Sequence, residues 1–313
     1  MEKTKIICVV GATASGKTSL GVELAKALNG EVISADSMQV YKGMPIATAA
    51  VREDEAQGIP HHLVEFLESD SYFSVADFVR LAKEKISDIK ERGKLPIIVG
   101  GTGLFIDSLV KNISFADARV NEELRSSLGE KSTDELYETL LECDPDSARE
   151  IHKNNRKRVI RALELYYSGT SKTEQNENSM LEESPFDALY IGINYKDRNA
   201  LYQRINKRVE LMVENGLVPE ARQALKKVSK TSAQAIGHKE LIPFLEGKIT
   251  LDEAKEELKK QTRHYAKRQL TWFRKNENIL WLYADEMTKD ELINEAVCAA
   301  KDFLSRGVGI EEK

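Results

Sequence analysis

The chain has 313 residues, of which 31% are charged and 41% hydrophobic, with a formal net charge of -5. This is the composition of an ordinary globular chain, and it excludes a polybasic nucleic-acid binder while leaving local basic faces open. No apolar run is long enough to span a bilayer, and Ile6 to Val10 is too short for a signal-peptide core. Cys8, Cys143 and Cys298 lie far apart and form no CxxC pair, which argues against a zinc site or disulfide framework and for a reduced cytoplasmic setting.

Lys5 to Val10 is short, apolar and β-branched, which predicts a buried strand. A glycine loop follows over Gly11–Thr18, then a helix over Ser19–Leu28 and a second short strand over Glu31–Ser34. Ser74–Arg92 reads as a helix opened by a Ser74/Asp77 capping pair and stopped by Gly93. Leu95–Val99 is another buried strand, and Gly100-Gly101-Thr102-Gly103 turns from it into a helix. Strand and helix alternate with loops at the strand C-termini, so an α/β core with a parallel, doubly wound sheet is expected. From about Asp117 to Glu183 only helical patterns and polar turns appear, and Ser171–Ser184 reads as a polar, mobile stretch. Ala188–Ile193 returns as a strand. A helix follows over Asp197–Asn215, with an apolar stripe of Leu201, Ile205, Val209 and Met212. Further helices are expected over Glu220–Lys227, Ile236–Leu245 and Leu251–Arg274, and a last strand over Ile279–Tyr283. The expected organisation is a first core segment over 1–116, a helical insertion over 117–185 and a second core segment over 186–313.

Gly11-Ala12-Thr13-Ala14-Ser15-Gly16-Lys17-Thr18 fits GxxxxGK[ST] between a strand and a helix. In that setting backbone N–H groups and a helix N-terminus converge on phosphate oxygens, Lys17 adds a point charge, and the Thr18 hydroxyl is placed to hold Mg²⁺. The motif says that the ligand carries a diphosphate without saying that it is ATP. Pro96-Ile97-Ile98-Val99 ends in Gly100-Gly101-Thr102 with no acid for a nucleotide-bound Mg²⁺, which weakens a motor or switch ATPase. Asp36 follows the second strand, on the same sheet edge as the loop. A carboxylate beside an anion would bind a metal or take a proton from a second substrate, unless it merely caps a helix.

Several segments now coincide in order and spacing: GATASGKT at Gly11, SADSMQVYKGM at Ser34, IPHHLVEF at Ile59, PIIVGGTGLFI at Pro96, KRVIRALEL at Lys157, LYQRINKRVELM at Leu201, AIGHKEL at Ala235 and AKRQLTWFR at Ala266. Together they closely resemble the bacterial tRNA dimethylallyltransferase family, from the phosphate loop to about Arg274. The resemblance implies a P-loop NTPase-like core. It also implies transfer of the dimethylallyl group of dimethylallyl pyrophosphate to N6 of the adenosine on the 3′ side of the tRNA anticodon. Pyrophosphate leaves, Mg²⁺ is used and no ATP is hydrolysed. Asp36 then serves as general base, and Lys17, Thr18 and the loop amides stabilise the leaving group. Thr13 and Ser15 are within the loop's reach of substrate. Arg208 matches the second arginine of an RxxxR segment and shares a helix face with Arg204; it is expected to reach the pyrophosphate. Asp36, Ser37, Met38 and Gln39 would line the entry of the flipped base, Gln39 would read a base edge, and Thr102 would approach the adenosine.

Basic clusters supply candidate tRNA contacts. Lys153, Arg156, Lys157, Arg158 and Arg161 fall close together. Arg263, Lys267 and Arg274, spaced by four and seven, are placed on one helix face, with Arg268 beside them, and Lys239 lies in AIGHKEL. Each run alone reads as a solvated face, and the resemblance raises the RNA reading. Tyr265, Trp272 and Phe273 are interleaved with the second cluster, and core packing is preferred for the last two. His61 and His62 are expected to anchor a loop. The family's GTAK reads Ala47-Thr48-Ala49-Ala50 here, its GGTGLY ends in Phe105, and its GY[KR] reads Gly237-His238-Lys239. These departures put a phosphate contact and two tyrosine hydroxyls in doubt. The expected partners are the tRNA anticodon stem-loop and dimethylallyl pyrophosphate, with no membrane and a monomeric chain. The rival readings are an adenylate dimethylallyltransferase acting on free nucleotides, a small-molecule kinase, and a non-catalytic RNA-binding protein.

Overall fold

The structure is a computed structural model that describes residues 3–113, 115, 122–169, 183–226 and 235–306. Asp117, residues 171–182 and Lys227, on which parts of the sequence reading fall, lie outside these. The chain divides into two compact units, one formed by 1–110 with 185–313 and one by 111–184. Among the described residues no helix is long and apolar enough to cross a membrane.

The larger unit is built on six strands: β1 (Thr4–Gly11), β2 (Gly30–Ser34), β3 (His61–His62), β4 (Leu95–Gly100), β5 (Phe186–Asn194) and β6 (Ile279–Tyr283). Their order is β3-β2-β4-β1-β5-β6 and every pairing is parallel, as the strand–helix alternation predicts. β1 is central, with Ile7 beside Ile97 on one flank and Leu189 on the other. The first helices are α1 (Lys17–Ala27), the single turns α2 (Pro45–Thr48) and α3 (Glu53–Ala56), α4 (Val75–Glu91) and α5 (Gly103–Val110). After β5 come α10 (Arg198–Glu214), α11 (Leu217–Ala224), α12 (Ile242–Leu245), α13 (Leu251–Phe273) and α14 (Lys289–Ser305), with α6 to α9 in the smaller unit.

Helices cover both sheet faces because the strands are buried on both. Ile7, Val9, Val32, Ile97 and Ile191 pack with Leu20 and Leu24 of α1 and with Leu292, Ala296 and Ala300 of α14. The alternate residues Ile6, Cys8 and Val10 are equally inaccessible and point to the other face by the pleat. There α4 and α5 pack, burying Phe78, Ile86, Ile89, Ile106 and Leu109. The Phe105 ring stacks on Phe78 at 4.5 Å and is 5% exposed. The family's tyrosine hydroxyl is thus lost at a packing position, where the ring pair contributes about 1 kcal/mol beyond its buried area.

α4 opens with the expected box, since Ser74 N–H donates to Asp77 Oδ2 at 3.0 Å and Asp77 N–H to Ser74 Oγ at 3.2 Å. Two expectations are corrected. Ile236–Leu245 is not one helix. Gly237, at φ 118°, turns the chain into a single 3₁₀ turn over Lys239–Leu241, and only Ile242–Leu245 is α-helical. The sheet also gains β3, whose two residues carry too little pattern to be read, and the chain gains α14 beyond the last strand.

The smaller unit contains α6 (Glu122–Glu130), α7 (Thr133–Cys143), α8 (Pro145–Glu150) and α9 (Arg156–Tyr167), and no strand among its described residues. Leu128, Leu136, Leu140, Ile151, Val159 and Leu163 form its core. Arg125 makes two bonds to the buried Glu164 carboxylate, at 2.5 Å and 3.0 Å.

One buried acid pins the sheet edge. Glu31, 3% exposed, accepts from Lys94 at 2.8 Å and Arg92 at 2.7 Å and pairs with His62 Nε2 at 2.7 Å. Burial alone raises its pKa, but the hydrogen bonds from Lys94, His62 and Arg92 outweigh burial and hold it at about 2, against an ordinary 4.5. A carboxyl depressed in the folded state stabilises the fold above its unfolded pKa, and that contribution is lost as pH falls toward the folded value. Glu31→Gln is therefore expected to melt below the parent at pH 7. The gap should close as pH falls from about 4.5 toward 2, as calorimetric melts will show. A gap independent of pH would contradict the assignment.

Candidate active site

The carboxyl ends of β1, β2 and β4 place three loops around one cavity of about 920 Å³. Its polar lining includes Lys17, Thr18, Asp36, Gln39, Arg204 and Arg208. Gly11 opens the phosphate loop at φ 143°, and a Cβ there would stand 2.5 Å from the Ile193 carbonyl oxygen, so only glycine fits. α1 then begins at Lys17 with no side-chain cap on its first N–H groups, which leaves those donors for an anion. Thr13, Ala14 and Gly16 line the cavity. Ala12 is buried among Leu201, Ile205 and Ala266. Ser15 is buried too, its hydroxyl 3.2 Å from where a Gly11 Cβ would stand. The loop's two expected helpers therefore differ: Thr13 faces the cavity and Ser15 packs behind the loop.

Lys17 Nζ donates to the Ala12 carbonyl at 2.5 Å. Burial first and the neighbouring Arg208 second lower its pKa from an ordinary 10.5 to about 7, with Asp36 opposing. Arg208 is itself shifted down by burial, with Asp36 and Glu55 opposing. Two desolvated cations therefore share a cavity with Asp36 as the carboxylate that counters both, and such a site favours a polyanion. Arg204, four residues earlier, is turned to a different task. Its Nε donates to the Ala14 carbonyl at 3.0 Å, and its guanidinium lies 5.7 Å from the Tyr195 ring.

Asp36 caps a turn. Its Oδ1 accepts from Met38 N–H at 2.9 Å and Gln39 N–H at 3.4 Å. No protein donor to Oδ2 occurs among the described residues, so the turn orients the carboxylate while one oxygen remains available. Gln39 lines the cavity, but its amide is already engaged. Its Oε1 accepts from Ser34 Oγ at 2.8 Å, and its Nε2 donates to the Thr48 and Ala49 carbonyls at 3.3 Å and 3.0 Å. These bonds use both Nε2 hydrogens and leave Oε1 one further acceptor position. Ser37 N–H donates to Thr102 Oγ1 at 3.2 Å, which joins the turn after Asp36 to the turn after β4.

Gln269, which the sequence reading passed over for its charged neighbours, holds the site together. Its Oε1 accepts from Thr13 N–H at 2.8 Å and its Nε2 donates to the Gly101 carbonyl at 3.0 Å, with the side chain 5% exposed. The glycines of the turn are needed for close approach. A Cβ at Gly100 would lie 2.2 Å from the Ala35 carbonyl oxygen, at Gly101 2.0 Å from Gln269 Nε2, and at Gly103 2.2 Å from Trp272. One turn earlier on α13, burial and the Asp36 charge push the Tyr265 phenol up, with Thr102 and Gln269 opposing. The only sequence signal for Gln269 was an amide inside AKRQL, on the buried stripe of a long amphipathic helix.

The basic candidates separate. Lys267 and Arg268, with His264, Thr271, Trp272 and Lys275, line an open groove of about 490 Å³ along α13. Arg263 is drawn away to Asn206 Oδ1 at 2.7 Å and the Tyr202 ring at 6.0 Å. Arg274 caps the helix, with helical dihedrals and its N–H donating to the Leu270 carbonyl at 3.0 Å, so its backbone continues the spiral that carries Arg263 and Lys267. Phe273 is buried at 1% exposure, while Trp272 donates to Asp107 Oδ2 at 2.9 Å and keeps one side on the groove. Lys239 lies 3.5 Å from Glu240. In the smaller unit, Lys157 and Arg158 are exposed on α9, and Arg161 pairs with Glu164 at 3.2 Å. His61 Nδ1 meets the Ile59 carbonyl at 2.9 Å, and both histidines anchor β3.

Comparison with known proteins completes this picture. The family profile described as IPP transferase matches residues 39–276. A tRNA dimethylallyltransferase of Caldanaerobacter subterraneus subsp. tengcongensis is 46% identical over 302 residues, 94% of this chain and 96% of that one. The Bacillus subtilis tRNA dimethylallyltransferase is 45% identical over 289 residues, 90% and 92% of the two chains. Among solved structures, the tRNA Δ(2)-isopentenylpyrophosphate transferase of Staphylococcus epidermidis superposes with a TM-score of 0.71 at 42% identity, over 96% of this chain and all of that one. A eukaryotic dimethylallyltransferase acting on tRNA reaches 0.82 at 32% identity, over 96% and 80%. With the profile covering most of the chain and relatives this similar along nearly its whole length, the chain belongs to the IPP transferase family, with the tRNA dimethylallyltransferases.

Proposed function

We propose that this chain transfers the dimethylallyl group of dimethylallyl pyrophosphate to N6 of the adenosine on the 3′ side of the tRNA anticodon, on a P-loop NTPase-type core. The observation that carries the reading is one cavity in which half-buried Lys17 and Arg208 face Asp36. Ionisation at the allylic carbon builds negative charge on pyrophosphate, which Lys17, Arg208 and the N–H groups at the start of α1 stabilise. The N6 lone pair is delocalised into the adenine ring, so attack needs a base on its N–H, and Asp36, with Oδ2 available, takes that proton. The adenosine reaches Asp36 by leaving its stack past Ser37, Met38 and Thr102.

The donor set fits Mg²⁺. The Thr18 hydroxyl lines the cavity, and a hard cation that keeps several waters needs few protein oxygens. When bound, Mg²⁺ neutralises charge on the leaving pyrophosphate. For tRNA, the groove bearing Lys267 and Arg268 offers cations and one indole face, and α9 offers Lys157 and Arg158.

Purified protein given labelled dimethylallyl pyrophosphate should label unmodified tRNA in preference to AMP; label on AMP alone would instead indicate a free-nucleotide enzyme. Asp36→Asn retains an acceptor for the turn and should bind tRNA normally while kcat falls by about 10²-fold or more. An unchanged kcat would remove Asp36 as the base. Because free Lys17 titrates at about 7, it is largely neutral at pH 8, and a bound pyrophosphate recharges it. Pyrophosphate affinity should therefore be greatest below that pKa and fall as pH rises through it. Calorimetry at pH 8 in buffers of different ionisation enthalpy should show uptake of up to about one proton more than in Lys17→Arg, which stays charged. Replacing Lys267 and Arg268 together by alanine should weaken tRNA binding and flatten its salt dependence by about 1 per lost phosphate contact in a log–log plot.

A further inference from the structure

Ala14 stands in the middle of the phosphate loop at φ 62°, in the left-handed region that residues with a Cβ avoid. Such a conformation persists where surrounding groups hold it. Here they come from β5 and α10. Arg204 Nε, on α10, donates to the Ala14 carbonyl at 3.0 Å. The hydroxyl of Tyr195, the residue after β5, donates to the next carbonyl, that of Ser15, at 3.4 Å. The two side chains brace each other, with the guanidinium 5.7 Å from the ring centre.

These bonds hold two consecutive peptide planes. A trans peptide sets the N–H opposite the carbonyl, and no peptide bond in the described chain is cis. Fixing the Ala14 carbonyl therefore fixes the Ser15 N–H, which donates to the Ala12 carbonyl at 3.3 Å and closes the turn. Fixing the Ser15 carbonyl fixes the Gly16 N–H. Gly16 lines the cavity, and among the described residues its N–H meets no protein acceptor, which leaves it for an anion. Arg204 is exposed, so its bond adds little to global stability. Its effect falls on the shape of the loop before the ligand arrives, which is the part of binding that pre-organisation improves.

We propose that Arg204 and Tyr195 are positioning residues that clamp the phosphate loop in its anion-binding shape, and that Arg204 does so by holding Ala14 left-handed. Arg204 also lines the cavity, so direct contact with pyrophosphate is the competing role. Glycine at position 14 separates the two. It enters the left-handed region without the Cβ penalty and has little need of the clamp, whereas a direct contact would matter equally with either residue there.

The inference rests on the proposed reaction only for pyrophosphate as the ligand. Inorganic pyrophosphate in Mg²⁺ buffer is the probe, its affinity is read by calorimetry without tRNA, and melting midpoints are read on the same samples. Arg204→Ala should weaken binding about 10-fold, the size of a left-handed penalty released into the free loop. Its midpoint should stay within about 2 °C of the parent. In an Ala14→Gly background the same change should cost no more than about 2-fold, since coupled neighbours do not add. Tyr195→Phe keeps the ring under Arg204, removes only the hydroxyl and should weaken binding about 3-fold. Equal losses from Arg204→Ala in both backgrounds would make it a direct contact and overturn the clamp. So would unchanged affinity in Arg204→Ala or in Tyr195→Phe, and midpoints that fall in step with affinity would reduce the pair to fold stability. A parent that binds pyrophosphate but labels no tRNA would end the reaction reading and leave this cycle intact, while a parent that binds no pyrophosphate would overturn the clamp as well.

Discussion

Gln269 bridges two loops that are 256 and 168 residues distant from it in sequence, and the site depends on that bridge. Both of its amide atoms are used on backbone groups, one in the phosphate loop and one in the turn after β4. A buried amide satisfied at both ends fixes its partners in place, because breaking either bond would leave a desolvated polar group. The glycines around it follow from this contact. Gly101 has no room for a side chain against the amide, and Gly103 has none against Trp272 on the same helix. The long helix α13 therefore sets the spacing of the loops from behind while offering Lys267 and Arg268 on its outer side.

With the loops fixed, the charge balance of the cavity decides what it receives. Lys17 and Arg208 are both held where burial disfavours their charged forms, and Arg208 lowers Lys17 further. Asp36 relieves this in part. The remaining imbalance suits an anion with several oxygens, as the proposed pyrophosphate leaving group would be. Arg204 shows how fine the division is. It stands one helical turn from Arg208 and yet ties down the loop backbone through Ala14.

The cavity lining over Pro45–Ala50 is anchored in another way. Its two ends are held by side chains from different parts of the chain, Gln39 at one end and Glu220 at the other. Both ends of Pro45–Ala50 are thus held by side chains from outside that segment. A single helical turn has almost no intrinsic stability, so its carbonyl and N–H groups need external partners.

The sequence by itself determined the local elements and the phosphate loop. Strands such as Ile6–Val10 are read from apolar runs, the Ser74 box from adjacent donors and acceptors, and Gly11–Thr18 from a spacing that works only between a strand and a helix. It also pointed to Asp36, because a parallel sheet gathers its loops at one edge. The folded chain alone decided which polar groups are available there. Gln39 and Arg263 looked ready for RNA, but their hydrogen bonds go to Ser34, Ala49 and Asn206. Gln269 and Glu220 looked ordinary and turned out to organise the site. The physical reason is that local pattern carries backbone preference and amphipathic period, whereas the partner of a buried polar group is chosen by which distant segment packs against it.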